Sequence, residues 1–167
     1  AGYPLLHEGV ETPYPYFSDL GFLLTSPLIT LGLYTFKREA GLKATYWGIG
    51  LALLLLLVGG YWGFLANSED LMTGSPVTRL TAAGYTLFDP ILLAMTALIA
   101  TSFRGGALGK AWMLVLVGSV FYVIGNQLYS YFVGLETYHT GSRVDLAWVV
   151  GFGLIGCGAV ATKNLLR

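Results

Sequence analysis

Residues 44–68 read ATYWGIGLALLLLLVGGYWGFLANS, 25 positions without one charged side chain. A helix needs about 20 mainly apolar residues, within a range of about 17–25, to cross a hydrocarbon layer. This stretch meets the length and is apolar on every side, so it predicts a helix in lipid. Four more charge-free runs surround it: Leu20–Phe36 (17 residues), Leu80–Phe103 (24, broken only by Asp89), Ala111–Leu135 (25) and Leu146–Thr162 (17). The two short runs borrow flanking residues, because lysine and arginine stems lie along apolar surface while their charges reach water.

The expected fold is therefore all-α: a polytopic membrane protein built as a bundle of five transmembrane helices. The spans fall at approximately 17–36, 45–66, 80–103, 111–134 and 144–164. Together they form one membrane domain, 17–167, behind an irregular extracellular lead-in, 1–16, that carries Pro4, Pro13 and Pro15. A backbone in lipid must satisfy its own hydrogen bonds, which a helix does within the segment. Alternating segments of about ten residues, the mark of an outer-membrane barrel, are absent.

Composition agrees. Hydrophobic residues make up 55% of the chain and charged residues 11%, against about 25% charged in a soluble domain. The net charge is zero, so no basic face argues for nucleic acid. The single cysteine, Cys157, cannot form an internal disulfide and has no Cys or His neighbour at metal-ligand spacing. It reads as a packing residue, and no metal is expected.

Basic residues set the orientation. Segments 37–43, 104–110 and 163–167 hold Lys37, Arg38, Lys43, Arg104, Lys110, Lys163 and Arg167, seven in all, while the opposite side has only Arg79 and Arg143. This bias puts the N-terminus outside and the C-terminus in the cytoplasm, in a multi-pass plasma-membrane protein. Trp47, Trp112, Trp148, Tyr16, Tyr46 and Tyr131 fall near span ends, as aromatic anchors at the lipid–water boundary do.

An internal repeat runs through the chain. Asp19, Asp89 and Asp145 each open a short phrase before an apolar run and head the first, third and fifth spans; Trp47 and Trp112 start the returning spans. The unit is a hairpin, with an unpaired fifth helix. Asp19 and Asp145, at helix starts, are expected to cap free amides and meet the positive end of the helix dipole. Gly59 and Gly63, and Ala147 and Gly151, have the spacing that lets helices approach closely. They serve packing within the bundle or a homo-oligomer.

Asp89 is the deepest charge, nine residues inside Leu80 and so about 13 Å along the helix. Pro90 follows and disfavours helical backbone at Asp89. One outcome is a break, with Asp89 capping an inner half-helix that starts at Pro90. Asn126 lies at matching depth in the fourth span, and Tyr122, Asn126 and Tyr129 share one face, with Gln127 about 100° around. Asp89, Asn126 and one or both tyrosines are expected to meet as a hydrogen-bond network or as a ligand or ion site, since intramembrane ionisable residues mark function by default. Pro27 and Pro90 are the candidate hinges. His7 and His139 lie outside the spans, and HExxH, CxxC, GxSxG and Walker sequences are absent. No enzyme and no cofactor is expected; bound lipid is.

Three phrases carry a family resemblance: Ala83-Gly-Tyr-Thr-Leu-Phe-Asp-Pro-Ile-Leu-Leu, Leu128-Tyr-Ser-Tyr, and Gly141-Ser-Arg-Val-Asp-Leu-Ala-Trp-Val-Val-Gly-Phe. With Ser18-Asp-Leu-Gly-Phe and Ser26-Pro-Leu in the first span, the chain resembles the multi-helix integral membrane sensor regions found N-terminal to diguanylate cyclase and histidine kinase domains in bacteria and archaea. Asn126 stands where such regions often carry an aspartate. The resemblance implies a sensory or input module that binds a small or lipophilic signal near Asp89 and relays it to a cytoplasmic effector. Two other readings stay open: a non-enzymatic subunit of a larger membrane complex, contacting helices, lipids or pigments, and a small transporter or proton path through Asp89.

Overall fold

The apolar runs become helices whose ends are set by local chemistry. The computed structural model describes residues 17–103, 105–139 and 141–166, the side chains of Phe17 and Ser18 excepted. The lead-in, with His7 and Tyr16, lies outside the described residues, as do Arg104 and Arg167. The described residues form six helices: α1 (Phe17–Glu39), α2 (Tyr46–Ala66), α3 (Ser68–Thr73), α4 (Pro76–Ala100), α5 (Gly106–Gly134) and α6 (Asp145–Leu165). Five of them, all but the short α3, are long and apolar enough to cross a membrane. No strand occurs among the described residues.

The helix starts differ most from the expectation, while α1 ends three residues later, at Glu39, and α4 three residues earlier, at Ala100. α4 starts at Pro76, four residues before Leu80, because Ser75 Oγ accepts from the Thr78 amide at 3.2 Å and proline occupies the first helical position. α5 starts at Gly106, five residues before Ala111. α3 occupies part of what reads as a plain loop.

α4 and α5 form the centre. Their span windows are 61% and 50% buried, against 17% for α1, 11% for α2 and 17% for α6. Contacts fix the directions. Ser26 meets Asp89 and Asp19 meets Tyr85, so α1 and α4 run parallel. Gly59 faces Pro90 and Gly63 faces Thr86, so α2 runs against α4. Asp89 meets Asn126 and Thr96 meets Ser119, and Gly118 and Gly125 face Gly151 and Trp148, so α5 runs against both α4 and α6.

α5 and α6 touch backbone to backbone. A Cβ on Gly118 would lie 2.7 Å from Gly151 O, and one on Gly151 would lie 2.8 Å from Tyr122 N. Only hydrogen fits in that seam, and the gain is dense van der Waals contact. The Gly59–Gly63 spacing is used within the chain too, against α4: a Cβ on Gly63 would lie 3.3 Å from Thr86 Cα.

The apolar core sits toward the lysine-rich end, around Leu92, Leu93, Ala97, Trp112, Val115 and Leu116. Trp112 is buried and stacks on Phe36 at 4.9 Å and Phe103 at 6.0 Å. It packs as a core residue and does not face outward as a boundary anchor would. Trp47 remains 89% exposed.

Candidate functional site

α4 is continuous through Pro90. The expected break does not form, and Asp89 does not head a helix. Proline deletes one amide, which leaves Thr86 O without its usual donor, but neighbouring helices hold both flanks. Gly59 of α2 packs beside the Pro90 ring, which would lie 3.4 Å from a Cβ there, an ordinary contact distance. Proline is tolerated in membrane helices where surrounding groups support the opened backbone. Asp89 lies thirteen residues past Pro76, about 20 Å along the axis and near mid-span.

A carboxylate in that position is costly unless its oxygens find donors. Both do. Ser26 Oγ on α1 donates to Asp89 Oδ1 at 2.6 Å, and Asn126 Nδ2 on α5 donates to Asp89 Oδ2 at 2.9 Å. Trp148 Nε1 on α6 donates to Asn126 Oδ1 at 2.8 Å. An indole N–H can only donate, so Trp148 fixes the Asn126 oxygen toward itself and the amide NH2 toward Asp89. One chain of bonds thus crosses α1, α4, α5 and α6, and Asp89 is 1% exposed.

The other expected site residues divide around this chain. Tyr122 is fully buried one turn from Asn126; its hydroxyl donates to Phe22 O at 3.4 Å and its ring tilts against Phe152 at 5.2 Å. It braces α1 and α6 on α5 and makes no direct hydrogen bond to Asp89. Tyr129 packs its ring on Trp148 at 5.6 Å and on Tyr138 at 4.8 Å, so it supports the indole. Gln127 is buried, and neither amide atom reaches hydrogen-bond geometry with any group. It faces α2, with Nε2 3.3 Å from where a Gly63 Cβ would stand. There Asn67 Nδ2 and Thr86 Oγ1 both donate to Gly63 O, at 2.8 and 3.3 Å. Asn67 Oδ1 and Ser130 Oγ are also buried without hydrogen-bond partners.

Asp19 and Asp145 do more than head helices. Asp19 is buried in the first turn of α1 and accepts from Tyr85 Oη at 3.2 Å. Asp145 is the first residue of α6, whose cap position is Val144 with no side-chain cap bond. Its carboxylate accepts from Tyr138 Oη at 2.9 Å and Gly141 N at 2.6 Å. It fastens the preceding loop rather than capping the helix, because Gly141 folds that loop back with a positive φ of 89°. Both carboxylates still sit in a first turn, where the helix dipole favours them. α1 stays one helix through Pro27.

Ser26, Tyr85 and Trp148 are site residues that sequence reasoning missed. Ser26 follows Asp19 by seven residues, the spacing that puts both on one helix face. That signal was available: Asp19–Tyr85 and Ser26–Asp89 are two rungs between α1 and α4. Trp148 looked like a boundary anchor, and only tertiary packing turns its indole inward. Cys157 is exposed. Among the described residues, no group of three His, Cys, Asp or Glu side chains is placed to hold a metal.

No family model matches this chain, and no curated protein or solved structure matches it either.

Proposed function

We propose that this protein is a membrane-embedded sensory or input module whose Asp89 node couples helix positions across the bundle. The observation that carries the reading is the bond chain Ser26–Asp89–Asn126–Trp148, through which one carboxylate bonds α1 and α5 directly and α6 by way of Asn126. A signal changes such a protein only by binding two helix arrangements unequally. A small or lipophilic molecule that competes for Ser26, Asn126 or Gln127 has that leverage. The orphaned Gln127 amide offers it a donor and an acceptor.

In this reading the N-terminus is outside, the basic end is cytoplasmic, and the protein sits in the plasma membrane. The alternating helix directions make two hairpins and a final single helix. Lys163, near the end of α6, stands where movement would pass to a cytoplasmic effector. The chemistry is non-enzymatic, and resemblance to membrane sensor regions gives the same direction. A proton path through Asp89 is the weaker alternative, because both of its oxygens already hold donors.

A second reading has its own observation. α2 is 11% buried over its span and exposes Tyr61, Trp62 and Leu57 at 67%, 51% and 72%. Large aromatic side chains on an outward face suit a subunit of a larger membrane complex, covered by other helices, lipids or pigments.

Spin labels at positions 37 and 163, measured by pulsed electron resonance in nanodiscs, test the first reading. Asp89→Asn should shift or broaden the distance distribution between the basic ends of α1 and α6. An unchanged distribution would leave Asp89 a local structural group and the relay without a mechanism. Recovery from native membranes in a stable hetero-assembly would favour the second reading.

A further inference from the structure

A cavity of about 790 Å³ opens at the lysine-rich end, remote from Asp89. It lies between the N-terminal turns of α2 and α5 and the C-terminal end of α4, and Trp47, Thr101, Phe103, Gly105, Lys110 and Met113 line it. Ser102 Oγ donates to Lys43 O at 3.0 Å, which joins the two neighbouring loops.

We propose that this cavity binds the headgroup of one anionic phospholipid, with Lys110 as the phosphate contact. The wall is divided as such a ligand is. Trp47, Phe103 and Met113 are apolar, and Trp47 is 89% exposed at the first turn of α2, as tryptophan at a lipid–water boundary is. Lys110 supplies the charge, and among the described residues no ion pair engages it. The first turn of α5 adds free amides, since its cap residue is Gly105 and no side chain caps it. Charge complementarity extends beyond the cavity. The described basic-end segments carry Lys37, Arg38, Lys43, Lys110 and Lys163 against the single acid Glu39. Such an end attracts an anionic lipid surface. This site is separate from the Asp89 node, and the proposal stands whether or not the sensory reading does.

Native mass spectrometry of the full chain, purified with equimolar palmitoyl-oleoyl phosphatidylglycerol and phosphatidylcholine, tests it. The wild type should retain one phosphatidylglycerol in preference to phosphatidylcholine. Lys110→Gln should cut that preference about fivefold, the effect of one basic side chain at an anionic surface. Lys110→Arg should keep it, and Lys163→Gln, outside the cavity, should reduce it less than Lys110→Gln does. The lipid ratio is read within each variant, so a loss of yield does not blur the result. Equal retention of both lipids by the wild type overturns the proposal. So does an undiminished preference in Lys110→Gln, or an equal loss in Lys163→Gln, which would mean diffuse attraction without a site.

Discussion

The half of the bundle around Asp89 and the half around Trp112 are held by different forces. Around Trp112 the contacts are apolar: Leu92, Leu93, Ala97, Val115 and Leu116 pack beside three stacked rings. Around Asp89 they are directional, and polar groups from four helices meet in sequence. The hydroxyls of Thr96 and Ser119 in the apolar half bond Leu92 O and Val115 O of their own helices at 2.8 and 2.9 Å and meet each other between α4 and α5 only at 3.5 Å. The difference teaches where a change of state can begin. Close packing resists every displacement alike, whereas a hydrogen-bond chain has alternative pairings, such as a Gln127 amide waiting beside Asn126.

The comparison can be broken first at Trp112. Trp112→Ala should cost about 3–5 kcal/mol, the range for emptying a large aromatic site, measured as reversible unfolding in mixed micelles. The Asn126–Asp89 bond should survive it. Asp89→Ala should cost less, about 2 kcal/mol, since interhelical polar contacts in membrane proteins are worth about 0.6 kcal/mol on average and at most about 1.7 kcal/mol, and two are lost. Its signature is increased hydrogen exchange in α1 and α6. If Asp89→Ala proves costlier than Trp112→Ala, the polar half is the stabilising one and the contrast is inverted.

A smaller change sharpens the contrast. Trp148→Phe keeps the ring stack on Tyr129 and removes one donor, so it should cost about 1 kcal/mol. It should also free Asn126 to rotate, which amide-proton NMR would register as loss of a single side-chain conformation. A similar loss of order near Trp112 would mean that the two halves are one unit.

The smallest effect lies outside the spans. Burial, and after it the neighbouring Glu69 carboxylate, raise the pKa of Asp70 on α3 above the ordinary aspartate value. The folded protein therefore holds this proton more tightly than the unfolded chain does. Its contribution to stability is greatest at low pH and falls as pH rises from the unfolded pKa through the folded one. Asp70→Asn should flatten that fall in a pH series of melting temperatures and leave both halves of the bundle unchanged.

The five spans were legible because charge-free length is a property of the chain alone. The Asp89–Asn126 pairing was legible for a related reason: two polar residues at matching depth in apolar spans have few other places to go. What escaped reading depends on tertiary support. Pro90 looks like a breakpoint, yet α4 runs through it with α2 packed alongside at Gly59. Trp112 and Trp148 have the same sequence environment as boundary anchors, and only their neighbours decide that one fills the core and the other donates to Asn126. Asp145 looks like a cap, but the turn at Gly141 brings the loop to it. α3 is too short for its pattern to stand out from a polar loop.

The bond from Trp148 to Asn126 also gives the protein a built-in reporter. Of the four tryptophans, Trp47 and Trp62 are exposed at 89% and 51%, and the buried Trp112 indole N–H has no hydrogen-bond partner. Trp148 alone couples its indole N–H to the carboxylate at the centre of the bundle, through one intervening amide. The vibrational band of that N–H will be displaced from those of the other three. Any rearrangement at Asp89 can then be followed in unlabelled protein, in its own lipid, by watching one line move.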